Sequence, residues 1–300
     1  MTRPEAMKIW IVNPFDQLPG EGTREGRYWS LALELSKRGH SVIWWSSGFD
    51  HLSKTTRKAP SDGSLPFIVR LIQVPPYARN VSMKRLLNHR LYAYRFYKIV
   101  CQELRNAVLE APERMIVSLP PLDVPEYAFR IRDAYGVKII LDLQDAWPEA
   151  FYRFIPGKGK AQKKIAEMVF RKLKERANKA IRNADAITAV AKTYLDIYGA
   201  SGKKLPSHVT PIGIRMSALE KNEKITQTPD RPFCFAYVGS ISPNYDLGTV
   251  VKAAAILKSQ GHEFAIKIAG MGPKLEQLTR AVNRWGLGEK IQFYGYLSFE

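Results

Sequence analysis

Lys8-Ile-Trp-Ile-Val12 is followed by a Pro- and Gly-rich loop from Pro14 to Gly22. A helical stretch through Tyr28, Leu31 and Leu35 then runs to Gly39, and Ser41-Val-Ile-Trp-Trp45 comes next. The two short apolar runs, bounded by turn residues, read as buried strands. Thr23 stands where it can cap a helix, and Gly39 stands where a helix ends. A strand, a glycine loop, a helix and a second strand open a Rossmann-like unit, whose parallel sheet is covered by helices on both faces.

Working outward, the alternation continues. Strands are predicted at Phe67–Ile72, Met115–Val117, Val137–Leu141 and Ala186–Val190, and helices at Lys84–Arg105, Val124–Ala134 and Ala161–Arg182, with a further helix ending near Gly199. Residues 216–232 are polar, lack hydrophobic periodicity and carry Pro229 and Pro232, so they read as a linker. A second series begins at Phe233–Val238. It continues with a helix from Leu247 to Lys258, a strand at Phe264–Ile268, Gly270-Met-Gly272-Pro273, another helix and a strand at Ile291–Phe293. The fold expected is α/β with two Rossmann-like domains: residues 1–215, a linker at 216–232, and residues 233–300 as the first half of a second domain, truncated at the C-terminus. Three hundred residues exceed one hydrophobic core, which agrees with two domains.

Composition narrows the class. Two cysteines, Cys101 and Cys234, fall in different predicted domains, which fits a reducing compartment better than a disulfide framework. The first seven residues lack the apolar core of a signal peptide, and Met7 is an alternative start. A cytoplasmic location is expected, with peripheral attachment to the inner membrane face. The formal net charge is +18, and residues 231–300 contribute only eight basic against five acidic residues, so most of the excess lies earlier. Such a field attracts phospholipid headgroups, phosphorylated lipids or nucleic acid. The aromatic and glycine signatures of RNA modules are absent, so no nucleic-acid partner is expected. On a helical wheel Lys84, Arg95, Lys98 and Arg105 share a face with Leu87, Leu91 and Tyr94, opposite a core-like stripe of Leu86, Ala93, Tyr97, Val100 and Leu104. Apolar residues within a basic face suit an anionic membrane interface, and a solvated helix is the plainer reading. A second basic stretch, Lys158–Lys179, adds to this.

Several motifs stand in an order that resembles glycosyltransferase family 4. Lys8–Val12 followed by Gly20-Glu-Gly22-Thr-Arg24 is similar to the family's first strand and acceptor-side glycine loop. Leu35-Ser-Lys-Arg-Gly39-His40-Ser-Val42 resembles its "LAKRGHEV" stretch. Asp145-Ala-Trp147-Pro148-Glu149 resembles its "DLWPE" segment, and Ala184-Asp185-Ala-Ile-Thr-Ala-Val190 its "ADAITAVS" strand. Tyr237-Val-Gly239-Ser240 and Ala269-Gly270-Met-Gly272-Pro273 resemble the two donor-lobe loops. The resemblance implies a GT-B fold of two facing lobes and a retaining transfer from a UDP-, GDP- or other nucleotide-sugar, with no cofactor and no bound metal. A lipid-linked or saccharide hydroxyl of surface-polysaccharide synthesis is the implied acceptor.

On that resemblance the donor would meet Gly239, Ser240, Asn244, Gly270 and Gly272, where backbone N–H groups at a strand–helix turn can approach a diphosphate. Gly20, Gly22 and Arg24 would face the acceptor, Arg24 through a bidentate phosphate contact; the plainer reading of Arg24, and equally of Arg27, is a solvated first-turn arginine. Asp145 follows a buried strand, where open α/β sheets present their sites, and a carboxylate there can orient a hydroxyl or accept its proton. Asp142 competes for that role, and the alternative for Asp145 is a cap of the turn before Trp147. The chain also departs from the family pattern. The family's Glu-x7-Glu segment would lie beyond Glu300. Ser240 replaces the usual Arg, Asn244-Tyr245-Asp246 fill the segment where Lys is common, and the "PNGVD" hinge reads Pro211-Ile-Gly213-Ile-Arg215. A nucleotide-sugar epimerase of the same fold, or a non-catalytic fragment that binds membrane or a partner, are the rival readings.

Overall fold

The computed structural model describes residues 5–21, 25–60, 63–79, 82–145, 147, 160–199, 205–213 and 232–297. The chain divides into two compact units, Met1–Arg215 and Met216–Glu300.

The first unit is a seven-stranded sheet in the order β3-β2-β1-β4-β5-β6-β7. Its strands are β1 (Lys8–Val12), β2 (Ser41–Ser47), β3 (Ile68–Ile72), β4 (Arg114–Leu119), β5 (Lys138–Leu143), β6 (Ala186–Ala189) and β7 (Ser207–Val209). Every pairing is parallel. The helices are α1 (Arg27–Lys37), α2 (Met83–Arg105), α3 (Asp123–Tyr135), α4 (Lys160–Asn183) and α5 (Lys192–Gly199). The period of two along β1 splits its residues between two cores. Ile9 and Ile11 pack with Tyr28, Ala32 and Trp44 on the α1 side. Trp10 and Val12 pack with Trp45, Phe96 and Met115 on the α2 side. The adjacent tryptophans Trp44 and Trp45 are therefore packing residues of opposite faces, both almost wholly buried. Trp45 meets Trp10 at 5.5 Å and Phe96 at 5.4 Å between ring centroids. Such a doubly covered sheet explains why β1 is apolar without alternation.

The strand order turns at β1, whose neighbours are β2 and β4. In open parallel sheets, ligands bind beyond the carboxyl ends of strands at such a switch point. The loops after β1, β2, β4 and β5 all leave from that edge.

Three local expectations need correction. Thr23, the expected cap, lies outside the described residues, and the N-cap of α1 is Gly26, which has no side-chain cap of its own. The Asp16 carboxylate accepts from Tyr28 N at 3.0 Å instead. A Cβ on Gly26 would lie 2.9 Å from the same oxygen, so glycine leaves room for a carboxylate brought from the preceding loop. Leu86, assigned to the buried stripe of α2, is exposed, and the buried face of that helix is Asn88, His89, Tyr92, Ala93, Phe96 and Val100. The short strand β7 carries no apolar run and was not foreseen.

The second unit is a three-stranded parallel sheet in the order β10-β9-β8, with β8 (Phe233–Val238), β9 (Phe264–Ala269) and β10 (Ile291–Gly295). Helices α6 (Leu247–Ser259) and α7 (Leu275–Arg284) connect them. Its core is formed by Val251, Ala254, Phe264, Ile266, Ile268, Leu278, Val282 and their neighbours. Phe233, Phe235 and Val238 of β8 are exposed despite their apolar character.

Candidate functional site

Each unit presents candidate residues on the loops that follow its strands. In the first unit these loops are organised by one buried acid. Asp142, the fifth residue of β5, is fully buried. Arg27, the first residue of α1, grips it in bidentate fashion, Nε to Oδ2 and Nη2 to Oδ1, both at 2.8 Å. The Tyr28 hydroxyl donates to Oδ2 at 2.8 Å, and Gln144 Nε2 adds a longer bond at 3.4 Å. Arg27 Nη1 also donates to the Thr210 carbonyl at 2.6 Å, beyond β7. Burial works against the charge on Arg27, but the bonds and charge of Asp142 outweigh it and raise the guanidinium pKa. Burial, reinforced by the charge of Asp142, pushes the Tyr28 phenol well above its ordinary value and keeps it a donor. Nearby Asp16 is raised, first by burial and then by the charge of Asp142.

The two acids that the sequence left in competition sit in different surroundings. Asp142 has its lone pairs occupied by internal donors. Asp145 lies three residues on, exposed, in a bend whose carbonyl accepts from Trp147 N at 2.9 Å. Arg27 is committed to Asp142 and is not the solvated first-turn arginine of the plainer reading. Gly22 and Arg24 lie outside the described residues. Gly20 has φ +89 in an exposed turn with open space around its Cα.

That glycine turn is anchored by a residue the sequence did not flag. Arg57 is 4% exposed and pairs with Glu21 Oε1 at 3.0 Å and Asp50 Oδ1 at 3.2 Å. Its Nη2 also donates to the Asp16 carbonyl at 2.9 Å. Glu21 Oε2 in turn accepts from Leu18 N at 2.7 Å. A buried guanidinium thus holds the loops after β1 and β2 together. Its only sequence signal is a basic residue shortly after an acid in a loop, which most surface segments share.

In the second unit the glycines allow backbone to meet backbone. Gly270 has φ +144, and a Cβ there would lie 1.8 Å from the Gly239 carbonyl oxygen. A Cβ on Gly272 would lie 2.2 Å from the Ile241 carbonyl oxygen. Gly239 N donates to Ala269 O at 3.0 Å, Ile241 N to Met271 O at 3.0 Å and Lys274 N to Ile241 O at 3.1 Å, so the loops after β8 and β9 are zipped together. Gly270 N donates to Gly295 O at 2.6 Å. The N–H groups of Gly239 and Gly270 are therefore already used inside the unit. The groups displayed around them are Ser240, exposed, and Asn244, exposed with its N–H on Ser242 Oγ at 3.4 Å. A groove of about 340 Å³ between the starts of α6 and α7 is lined by Ser242, Tyr245, Asp246, Lys274 and Gln277, among others. Asp246 caps α6 by accepting from Thr249 N at 3.2 Å, and Lys274 Nζ donates to Gln277 at 2.7 Å. Lys274 is a basic group that the sequence reading did not single out.

Strand, glycine turn and helix recur at the opening of each parallel unit, the pattern of a Rossmann-like α/β domain. Residues 219–300 match the model of the family described as Glycosyl transferases group 1. The match lies wholly within the second unit. The uncharacterized glycosyltransferase YqgM of Bacillus subtilis (strain 168) is 30% identical over 121 residues, which cover 39% of this chain and 32% of that relative. The matched stretch thus spans about a third of the curated relative's length. Among solved structures, the apo lipopolysaccharide outer core galactosyltransferase WaaB superposes with a TM-score of 0.56 at 15% identity, covering 97% of this chain and 69% of that one. HepE of Anabaena in complex with UDP superposes with a TM-score of 0.57 at 13% identity, covering 98% and 70%. At such identities the likeness establishes the fold.

Two predictions separate structural from chemical roles. Asp142→Asn leaves the Arg27 charge buried and should cost about 3–5 kcal/mol in urea unfolding, whereas Asp145→Asn, at an exposed position, should cost clearly less. Equal effects would reject the division. Gly270→Ala should destabilise the second unit by at least ~2 kcal/mol, read as loss of amide-exchange protection in β8 and β9. Unchanged protection there would show that the loops do not need the close approach.

Proposed function

We propose that the chain works in retaining transfer of a sugar from a nucleotide-diphospho-sugar to a hydroxyl of a lipid-linked or saccharide acceptor in surface-polysaccharide synthesis. The observation that carries this reading is the group 1 family segment at residues 219–300, set in a chain whose two parallel units follow the GT-B fold. HepE has been solved with UDP-glucose, and WaaG is described as a glycosyltransferase of lipopolysaccharide biosynthesis, which supports a UDP-sugar donor and a glycolipid-type acceptor here.

In this reading the second unit meets the donor. Because Gly239 and Gly270 spend their N–H groups internally, their part is to let the loops lie close. Ser240, Asn244 and the remaining backbone of the Gly239–Gly272 loops then contact the diphosphate. The first unit receives the acceptor at the loop of Gly20, Gly22 and Arg24, and Asp145 orients or deprotonates its hydroxyl. Helix N-termini and basic groups stabilise the departing diphosphate, with no cofactor consumed.

The acceptor side works at an anionic membrane surface on the cytoplasmic side. None of the described helices is long and apolar enough to cross a membrane. The supporting feature is α2, where Met83, Leu86, Leu87 and Tyr94 are exposed beside Lys84 and Lys98. Arg95 Nη1 donates to Gln73 O, and Arg105 Nε donates to Cys101 O at 3.0 Å, which leaves their remaining N–H groups for headgroups. Exposed apolar side chains framed by lysine suit the headgroup region.

The reading is tested with a mass-tagged nucleotide-sugar, with and without lipid acceptor. Asp145→Asn should lower acceptor-dependent transfer about 100-fold or more while the far-ultraviolet dichroism is kept. Unchanged turnover removes Asp145 from the chemistry. Conversion of the donor without acceptor supports an epimerase, and liposome binding without turnover supports a binding module. Replacing Lys84, Arg95 and Lys98 together by Gln should weaken binding to anionic liposomes, each charge contributing about 1 kcal/mol near the surface. Equal binding rejects the interfacial helix.

A further inference from the structure

Helix α4 runs for 24 residues, yet only its C-terminal end rests on the sheet. Ala177, Ala180 and Ile181 are buried there, in the core that holds Ile139, Leu141 and Ile187. Just before them, Arg176 is tied to the first turn of α3, to Asp123 at 2.9 Å and Glu126 at 2.8 Å. Both helices follow strands of one parallel sheet and so run in the same direction. Toward its N-terminus α4 therefore passes the start of α3, and the stretch 164–176 spans about 18 Å. No residue of that stretch is buried.

A helix that leaves its core is expected to be polar on its free faces, and this one is not. At about 3.6 residues per turn, Ile165, Met168, Val169 and Lys172 fall on one stripe. Ile165 is 59% exposed, Met168 46% and Val169 47%. Ala166, Phe170 and Leu173 lie on the neighbouring side, which continues into Ala177 and the core. Lys164, Ile165, Glu167, Met168 and Arg171 line an open hollow of about 600 Å³. The apolar stripe stands in a basic frame: residues 164–183 contain seven basic residues and two acidic ones, Glu167 and Glu175.

The sign of that frame selects the occupant. A second copy laid on the same stripe would bring one cationic helix against another, which costs energy. An anionic lipid surface satisfies both features together, since acyl chains receive the apolar side chains and headgroups meet the lysines. Helices α2, α3 and α4 cover the same face of the sheet, and each begins at the edge where the strands end. The exposed Met83, Leu86 and Leu87 near the start of α2 thus lie toward the same edge.

We propose that residues 164–175 of α4 lie in the headgroup region of an anionic phospholipid membrane. Ile165, Met168 and Val169 reach the acyl boundary, and Lys164 and Lys172 meet headgroup phosphate. The inference deepens the membrane reading given for α2 by naming α4 as the element that enters the lipid.

The test follows one position on the full chain. With Cys101→Ser and Cys234→Ser in place, Met168→Cys carries an environment-sensitive fluorophore, and Lys252→Cys on α6 carries it as the control. The chain is mixed with phosphatidylcholine vesicles with and without phosphatidylglycerol. A blue shift at position 168 on the anionic vesicles is expected, with quenching by lipids that bear a nitroxide on the upper acyl chain, while position 252 stays in water. In the unlabelled chain Ile165→Asp should weaken partition by about 10-fold or more. Lys164→Gln combined with Lys172→Gln should weaken it by about 10-fold, and only where phosphatidylglycerol is present. Far-ultraviolet dichroism checks that each variant keeps its fold. A label that stays in water while the chain binds vesicles, or Ile165→Asp that binds like the parent, overturns the α4 inference and leaves the α2 reading standing. Insertion of the label while the Lys84, Arg95 and Lys98 variant binds unchanged supports α4 and removes α2. A chain that binds neither vesicle overturns both. A label already shielded without lipid, with a doubled mass in sedimentation, gives the stripe to a second copy and overturns the lipid assignment. None of these outcomes depends on sugar transfer.

Discussion

The carboxylate of Asp142 constrains the rest of the first unit more than any other group. A charge at the end of a central strand, sealed from water, is strongly unfavourable unless donors surround it. Arg27 and Tyr28 supply them from the start of α1, and Gln144 from the following loop. Arg27 then passes the tie on to the Thr210 carbonyl beyond β7. The ends of β5 and β7 and the start of α1 are thereby fixed to one point. Arg57 repeats the device for the loops after β1 and β2, using Glu21, Asp50 and the carbonyl of Asp16. Arginine suits both places because its planar fork keeps several fixed donors and does not lose its charge when buried. The loops of the candidate site therefore rise from a rigid floor, and Asp145 is presented three residues beyond that anchor.

The second unit solves a different problem. Among the described residues its loops carry no buried ion pair and are joined through backbone. Gly270 and Gly272 permit an approach that any side chain would block, and the N–H groups of Gly239 and Ile241 complete the join. A glycine-rich turn after a strand is commonly taken as a cradle for phosphate. Here the same residues are first required for loop-to-loop packing, so glycine at these positions does not by itself argue for a ligand. The groups around the join carry that argument: Ser240, Asn244 and the Lys274 ammonium at the start of α7.

The architecture was legible because it rests on periodicity. Lys8–Val12 and Ser41–Trp45 announced doubly covered strands, and the repeated βα alternation carried the parallel order. The site was less legible because its partners meet only in three dimensions. Arg27 and Asp142 are 115 residues apart in sequence, and nothing local distinguishes Asp142 from Asp145. Thr23 had the chemistry of a cap, yet the start of α1 is satisfied by Asp16 from the preceding loop. Leu86 was placed in the core by a wheel whose buried face is set by what α2 rests on, namely Tyr92, Phe96 and Val100 against the sheet. The strand β7 is three residues long and mostly exposed, so no apolar pattern marks it. The apolar run of β8 has the composition of a covered strand, yet Phe233 and Phe235 are exposed.

Net charge shows why those tertiary details matter for function. The excess of +18 is a property of the whole chain, but a cation attracts a ligand only if its field is not already spent. Arg27 is neutralised by Asp142, Arg57 by Glu21 and Asp50, Arg70 by Glu103, and Arg176 by Asp123 and Glu126. These arginines hold the fold together and add little to the field outside it. Lys84 and Lys98 belong to a different population, exposed on α2 beside apolar side chains. Sorting cations by partner, rather than counting them, separates those that hold the fold together from those that face outward on α2.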